Sequence, residues 1–284
     1  MKKRINVVRK IVRRKLGGAR AFLVESNAGM GTVEIILIIV VLIGLVIIFK
    51  GQITELVNNI FEKITAQEKA LILDAAAQAP TAGNQQLYTI LDITDQTLKE
   101  KLVETCDHQP MIAQAKMVLI FCADCRKWHK TYEQYGCDPR DPGVGDLMLA
   151  VSDATIAAQN AVVAAQSLGI GSCYIGDIME NAELHRQMLK LPRYVFPAAM
   201  LVFGYPTEQQ KERQKPPRCE MCHIVHENSY RDMDKQQLQQ MLSVKTGNRE
   251  FREWIKAFCD RKYNSDFSKE MSRSVRVYLE DFEN

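Results

Sequence analysis

The chain has 284 residues and a formal net charge of +3, but its charges are distributed unevenly. Residues 1–31 contain nine Lys or Arg and one acid, Glu25, whereas residues 32–284 carry a net charge of −5. An acidic surface repels the phosphate backbone of nucleic acids, so we expect no nucleic-acid partner for this larger part. No internal repeat or low-complexity linker interrupts residues 65–284, and about 220 residues are enough to bury one sizeable core.

The first predicted element is a hydrophobic helix. Residues 35–49 are fifteen apolar residues without a charge. A helix of that length covers about 22 Å of a hydrocarbon core of about 30 Å, but Thr32 and Val33 extend it and Lys50 can reach the head groups. We therefore predict a transmembrane helix through residues 33–50, with a buried helix of a globular core as the alternative. A secretory signal agrees less well, because no A-x-A cleavage site follows the apolar run.

The stretch GMGTVE at residues 29–34 leads directly into the hydrophobic helix. It resembles the processing site of Flp-type type IV pilins. The resemblance implies cleavage after Gly29 and places Glu34 fifth in the mature chain, where pilins pair this carboxylate with the amino terminus of a neighbouring subunit. Ile35 stands where the family often has tyrosine. The resemblance covers residues 1 to about 64, and a plain membrane anchor with a chance glutamate is the alternative.

From Thr65 onward the sequence predicts a mixed α+β domain. Thr65 and Glu68 form a capping box, which begins a helix that must end before Pro80. The further predicted elements are, in chain order, a strand at 87–92, helix 95–106, strand 117–122, helix 145–168, strand 172–175, helix 182–190, strand 198–203 and a helical tail at 233–284. Helix 145–168 has a narrow polar stripe with a seven-residue repeat, which predicts an otherwise buried helix. His129 and His185 are both expected on helix surfaces.

A dinucleotide-binding fingerprint is missing from the domain. Gly169 and Gly171 are followed by Gly176, whereas G-x-G-x-x-G requires a glycine two residues sooner. This spacing argues against a Rossmann domain.

Three segments of residues 65–284 have distinctive sequences, which are APTAGNQQ at 79–86, LGIGSCYIG at 168–176, and KPPR at 215–218 followed by IVHENSY at 224–230. Together and in this order they resemble the nitroreductase family, in particular its oxygen-insensitive, NAD(P)H-dependent flavin reductase branch. The resemblance implies an α+β fold with a mixed sheet flanked by helices. It further implies an interlocked homodimer with FMN at the subunit interface.

The same resemblance implies the residues that bind FMN. One loop and a nearby glutamine would contact the flavin, the end of a strand would present main-chain groups to it, and two cations would pair with its phosphate. The loop residues are Thr81, Asn84 and Gln86, and the nearby glutamine is Gln109. The strand end consists of Tyr174, Ile175 and Gly176, and the two cations are Lys215 and Arg218. Hydride would pass from NAD(P)H to FMN and then to nitroaromatic, quinone or flavin acceptors, and no protein side chain is expected to be catalytic. Arg261 and Lys262 are candidates for steering the dinucleotide, although a solvated face also explains them.

The sequence departs from the family at one point that affects FMN binding. Family members begin with a basic R-S-x-R segment that holds the FMN phosphate, but residues 49–56 read FKGQITEL here. Loss of two charge-assisted hydrogen bonds, at about 1.5–3 kcal/mol each, would weaken FMN binding about 10²- to 10⁴-fold. The missing pattern occurs as RSVR at 273–276, where a solvated helical face explains it better. The change from pilin-like to nitroreductase-like sequence falls near residue 64 and defines two parts, 1–64 and 65–284.

Eight cysteines offer a different interpretation of the chain. Cys122 and Cys125 form one C-x-x-C pair, and Cys219 and Cys222 form another that is followed by His223. Two such pairs can bind structural zinc, but the gap between them is far longer than a compact zinc ribbon uses. The second pair with His223 also matches the attachment pattern of c-type haem. Reduced, unlinked thiols without a metal are the expectation for an intracellular fold.

The two parts of the chain make conflicting demands on location. A basic head before a transmembrane helix favours a cytoplasmic N-terminus and places residues after Lys50 outside the cell. A domain that uses NAD(P)H is expected to need the cytoplasm. Three explanations stay open: an inverted topology, a helix that does not insert, or the joining of two unrelated coding segments. We favour the third, because the junction removes a cofactor-binding element without a visible substitute.

Overall fold

The computed structural model of the protein describes residues 64–283. The predicted transmembrane helix, the processing site at Gly29, Glu34 and the segment 49–56 lie outside the described residues. The described part confirms the α+β fold class. Its helices are α1 Ala66–Ala77, α2 Gln96–Thr105, α3 Met111–Gln114, α4 Arg126–Gln134, α5 Val144–Ser167, α6 Ala182–Met188, α7 Glu208–Glu212, α8 Lys235–Ser243, α9 Phe251–Lys262 and α10 Asp266–Leu279. Its strands are β1 Tyr88–Asp92, β2 Met117–Asp124, β3 Gly171–Ile175 and β4 Val195–Gly204.

The strands form one sheet in the order β1-β2-β4-β3, and every pair in the described residues is antiparallel. The sheet is thus antiparallel where the sequence analysis expects a mixed one. The reason lies in the connections. Two helices, α2 and α3, connect β1 to β2, so the chain can reverse before it enters β2. A single crossover helix would instead be typical of a parallel pair.

Helices cover both faces of the sheet, because the inner strand β2 is apolar from Met117 to Ala123 and must be buried on both sides. All eight residues of β2 are buried, and successive side chains point to opposite faces. Leu119 and Phe121 pack with residues of α1 and α5. Val118 and Ile120 pack with residues of α2, α6 and α10 on the other face. The two cores make a helix–sheet–helix sandwich, and α5 is the main helix of the first layer.

Helix α5 has two different apolar faces. One face packs on the sheet through small side chains, which are Ala150, Ala154, Ala157, Ala161 and Ala165. The other face exposes larger apolar side chains, which are Met148, Leu149, Ile156 and Val163. The expectation of a helix buried except for a narrow polar stripe was therefore wrong. Among the described residues, α5 is the helix long and apolar enough to cross a membrane, and 39% of its apolar window is buried.

Local signals in the sequence were more reliable than expectations about burial. The capping box of α1 is confirmed, since the Glu68 amide donates to the Thr65 hydroxyl at 3.1 Å and the Thr65 amide donates to the Glu68 carboxylate at 2.8 Å. The predicted surface positions of His129 and His185 were wrong. The His129 side chain is only 13% exposed, and His185 is fully buried. Three residues after the buried Ala182, His185 faces the same side of α6, which packs inward.

Candidate functional site

A buried carboxylate on α5 anchors the loop that joins α1 to β1. Asp153 is 3% exposed and accepts hydrogen bonds from the amides of Ala82 at 3.0 Å and Leu87 at 3.2 Å. The Thr81 hydroxyl also donates to Asp153 and accepts from the Gln86 amide at 2.8 Å. The loop therefore has a fixed shape, held by a residue about seventy positions further along the chain.

The loop turns through several residues with left-handed backbone angles. Gly83, Asn84 and Gln86 have φ values of 57°, 56° and 50°. The Gln86 side-chain amide donates to the Ala77 carbonyl at 3.0 Å, at the end of α1. The side chains of Thr81 and Gln86 thus make contacts inside the protein. Asn84 and Gln86 are both exposed, but only the Asn84 side chain of this predicted trio makes no hydrogen bond with a described residue, so it is the one most available to a ligand.

The structure brings Gln109 to the end of strand β3. The Gln109 side-chain amide donates to the Asp177 carboxylate at 2.9 Å and to the Cys106 carbonyl at 3.1 Å. Asp177 directly follows Gly176, so two segments that the sequence analysis assigns to one ligand are in direct contact. A Cβ placed on Gly176 would meet no atom within 4 Å. The backbone at Gly176 consequently faces open space, which a ligand could occupy.

Strand β3 lies at the edge of the sheet and is partly exposed. Tyr174 is 42% exposed, and its hydroxyl lies 3.4 Å from the Gln159 amide oxygen on α5. Burial of the rest of its ring raises the pKa of Tyr174. Ile175 is 1% exposed, so only its main chain can take part in binding.

Two cations of helix α9 lie beside the Gln109 contact. A cleft of about 420 Å³ is lined by Asp107, Gln109, Asp177, Arg261, Lys262, Ser265 and Phe267. The two cations and the two carboxylates give this cleft mixed charge. Arg261 and Lys262 are thus close to Gln109 and the β3 end.

Lys215 and Arg218 lie apart from these contacts. Both are exposed, in a segment without regular secondary structure between α7 and α8. Neither makes an ion pair with a described residue. Their charges are available to an anion, but the structure does not connect them to Thr81, Gln109 or Gly176.

Comparison with known proteins decides the family. The model of the Nitroreductase family matches residues 62–205, which is half of the chain and includes the loop, Gln109 and the β3 end. The chain belongs to the nitroreductase family. A second model, described as a putative flagellin, Flp1-like domain, matches residues 22–70. The two matches overlap in the region where the sequence analysis places the junction.

Relatives and solved structures agree with this assignment of the nitroreductase family. The chain is 29% identical to the NAD(P)H FMN reductase of Bacillus subtilis (strain 168), over 71% of this chain and 86% of the relative. It is 34% identical to an oxygen-insensitive NADPH nitroreductase of Salmonella typhimurium, over 62% of this chain and 71% of the relative. A crystal structure of a putative oxidoreductase from Bacteroides fragilis is similar with a TM-score of 0.70 at 27% identity. It covers 78% of this chain and 94% of that one.

The C-terminal RSVR sequence is engaged inside this nitroreductase domain. Arg273 pairs with Glu183 at 2.8 Å from α6 and with Glu270 at 2.8 Å on its own helix. Arg273, by hydrogen bonding to each of them, lowers the pKa of both carboxyls to about 2. Arg276 is exposed and makes no ion pair with a described residue. Arg273 is therefore committed to joining α10 to α6, which explains the motif without a phosphate.

Sequence analysis missed three acids near the site. Asp153 holds the loop, and Asp177 holds Gln109, as described above. The third, Glu180, is 6% exposed, and its Oε1 has no hydrogen-bond partner among the described residues. Burial, with added repulsion from Asp177 and Asp107, raises the pKa of Glu180 to about 7. An acid within the alanine-rich helix 144–167 was a signal for Asp153, whereas no sequence pattern marks the burial of Glu180.

The two C-x-x-C pairs do not form a common ligand group in the described residues. Cys122 and Cys125 are buried at the end of β2 and the start of α4. Burial raises the pKa of both thiols to about 12, which keeps them protonated. Cys219 is partly exposed and Cys222 is exposed, both in the segment after Arg218. A zinc site shared by both pairs is thus not supported.

Proposed function

We propose that residues 65–284 form an FMN-dependent oxidoreductase domain that transfers hydride from NAD(P)H to nitroaromatic, quinone or flavin acceptors. Membership of the nitroreductase family and the activities for which the relatives are named support this proposal. The structural observation that carries it is the hydrogen bond of 2.9 Å between Gln109 and Asp177. This bond joins two segments that the family resemblance independently assigns to the same flavin.

The residues around Gly176 are suited to a flavin ring. The open space at Gly176 would let the ring approach the main chain of residues 174–176 closely. Gln109 and Asn84 would supply side-chain amide groups, which can donate to and accept from the polar edge of the ring. Thr81 acts as a positioning residue, because its hydroxyl is bound to Asp153 and to the loop. FMN, when bound, would supply the redox chemistry, and the protein would supply orientation and water exclusion.

Lys215 and Arg218 are proposed to pair with the FMN phosphate. Both side chains are exposed and without an ion pair in the described residues, so no internal carboxylate competes for them. Arg273 is held by two carboxylates and cannot replace the family's N-terminal basic segment. We therefore expect the phosphate to contribute less to affinity than in a complete family member.

A homodimer is proposed as the functional assembly. The exposed side chains Met148, Leu149, Ile156 and Val163 form an apolar face on α5, and burying such a face is favourable. Strand β3 at the sheet edge is exposed over Ser172, Cys173 and Tyr174 and pairs on one side only within the described residues. A second copy of the chain could cover both surfaces, and light scattering of the purified protein would give the mass of the assembly.

The proposed enzyme is tested by flavin binding and turnover with the full chain. Purified protein is titrated with FMN and, separately, with riboflavin, which lacks the phosphate, while bound flavin is followed by fluorescence quenching. We expect saturable FMN binding with a small preference over riboflavin and flavin-dependent oxidation of NAD(P)H. Absence of bound flavin at saturating FMN would overturn the proposal. If FMN bound 10²-fold or more tightly than riboflavin, this would instead contradict the expected weak binding of the phosphate.

A membrane-anchored, pilin-like subunit that carries this domain is the second candidate function. The Flp1-like match to residues 22–70 favours it, together with the fifteen-residue apolar run at 35–49. We propose two parts, a basic head with an anchoring helix at 1–64 and the FMN domain at 65–284. Mass spectrometry of the cellular protein tests this idea. A mature chain that starts at Met30 in the membrane fraction supports it, whereas an intact Met1 in the soluble fraction contradicts it.

A further inference from the structure

The segment after Arg218 concentrates side chains that bind soft metal ions. Cys219, Cys222, His223 and His226 occur within eight residues. The structure folds this segment into a 3₁₀ turn at Met221–His223. The ligand atoms of Glu220, Cys222 and His223 lie within 4.8 Å of one another, and no other group of three such residues does so in the described part. Arg218, which directly precedes the segment, is a proposed phosphate ligand, but none of these four side chains is among the residues proposed to bind the flavin.

Two distances within this cluster match the edges of a metal tetrahedron. With a Zn–S bond of about 2.3 Å, a Zn–N or Zn–O bond of about 2.0–2.2 Å and tetrahedral angles, sulfur and nitrogen or oxygen ligands are separated by about 3.6 Å. The Cys222 sulfur lies 3.6 Å from Nδ1 of His223. It lies 3.8 Å from a carboxylate oxygen of Glu220. Each of these two edges is therefore within about 0.2 Å of the value that a zinc ion requires.

The turn holds these ligands without help from a metal. The His223 amide donates to the Glu220 carbonyl at 3.1 Å, and the Val225 amide donates to the Met221 carbonyl at 2.8 Å. The three side chains thus project from a preformed turn of four residues. Because the turn is already closed, little conformational entropy opposes binding of an ion.

We propose that Glu220, Cys222 and His223 bind a zinc-class divalent cation, with Cys219 as the fourth ligand. Cys219 and Cys222 have the C-x-x-C spacing of zinc sites, and thiolate with imidazole selects zinc-class ions over calcium or magnesium. Binding requires both thiols as thiolates, so their protons are released to solvent. The Cys219 sulfur is outside the group whose ligand atoms lie within 4.8 Å of one another, so this partly exposed side chain has to turn toward the other three when the ion binds. The buried pair Cys122 and Cys125 is not needed.

Cobalt(II) tests the site in the full chain, because it replaces zinc and its colour reports the ligands. The protein is purified, reduced with a phosphine, stripped with a chelator and titrated with Co²⁺ alone. We expect saturation at one equivalent, visible bands of tetrahedral cobalt, a near-ultraviolet thiolate band, and loss of both when Zn²⁺ is added. The assay does not depend on flavin or on enzyme activity, so it is independent of the proposed function.

Variants assign the ligands. Cys222→Ser and His223→Ala should each weaken Co²⁺ binding at least about tenfold, and Cys219→Ser should remove part of the thiolate band. Cys259→Ser is the matched control, since Cys259 is an exposed free cysteine on α9, and its titration should equal that of the wild type. Unchanged melting temperatures of the metal-free variants would show that they fold. No saturable binding, or equal binding by Cys222→Ser, would overturn the proposal, and an unaltered thiolate band in Cys219→Ser would remove Cys219 from it.

Discussion

Replacement of Asp153 should release the loop that contains Thr81 and Asn84. The carboxylate accepts three hydrogen bonds from this loop and is 3% exposed. Hydrogen bonds to a charged group contribute about 1.5–3 kcal/mol each, so three of them give at least about 4.5 kcal/mol. Water can reach part of the loop after it is released and recovers some of this energy. We therefore expect Asp153→Ala to lower the free energy of unfolding by about 3–5 kcal/mol.

Asp153→Asn should have a smaller effect, of about 1.5–3 kcal/mol. The amide keeps one acceptor oxygen, but its NH₂ group faces loop amides that also donate. For a domain of this size, a loss of 4 kcal/mol lowers the melting temperature by roughly 8–16 °C. Calorimetry of both variants measures the global effect, and hydrogen exchange at the amides of Ala82 and Leu87 measures the local one.

Ser152→Ala is the matched control for these substitutions. Ser152 neighbours Asp153, but its hydroxyl bonds only to the Met148 carbonyl on the same helix, at 2.9 Å. Its removal should change stability by less than about 0.5 kcal/mol. A loss of less than about 1 kcal/mol in Asp153→Ala, or unchanged exchange of the Ala82 and Leu87 amides, would contradict the anchoring role of Asp153.

Three further predictions concern the cofactor site and its surroundings. Arg273→Met should lower the melting temperature because it breaks the link from α10 to Glu183, yet leave FMN affinity unchanged; a loss of affinity in the titration would contradict this. Gly176→Ala should melt like the wild type, because its Cβ meets nothing within 4 Å, but bind FMN roughly 5- to 150-fold more weakly through a clash of about 1–3 kcal/mol. Glu180 binds its proton more tightly in the folded protein, since burial raises its pKa from 4.5 to about 7. This contribution to stability is complete below pH 4.5 and is lost as the pH rises to about 7. Denaturant titrations should thus show that the free energy of unfolding of Glu180→Gln rises relative to that of the wild type over this pH interval, by up to about 3 kcal/mol. The same pH dependence of stability in both proteins would exclude the assignment.

The sequence was sufficient where the determining interactions are local. The capping box at Thr65 needs only a residue three positions away, and the alternation of β2 between two cores needs only a continuous apolar strand. The antiparallel sheet was not predicted, because strand direction depends on how α2 and α3 pack between β1 and β2. The burial of His185 depends likewise on the packing of α6 against the end of α2, where its ring contacts Thr105 and Cys106, and this packing is invisible in a single sequence.

In the candidate site, too, the sequence was informative for local motifs and uninformative for contacts between distant residues. The motifs located the loop, Gln109 and the β3 end, and the structure joins the latter two through Asp177. The internal use of the Thr81 hydroxyl could not be predicted, because its partner Asp153 is distant in sequence. The roles of the proposed flavin ligands stay predictions, and Lys215 and Arg218 are the ones with least structural connection to the rest.

The position of Asp153 on α5 links the loop to the apolar face of that helix. Asp153 lies one helical turn from both Leu149 and Ile156, and it is buried where they are exposed because the loop covers it. Leu149 and the loop residues Gln85 and Leu87 line one common cavity. A second copy that covers Leu149 and packs on the ordered loop binds that form of the loop more tightly, so association and loop order then strengthen each other equally. Dilution alone, at constant temperature, should then increase the mobility of the residues proposed to hold the flavin.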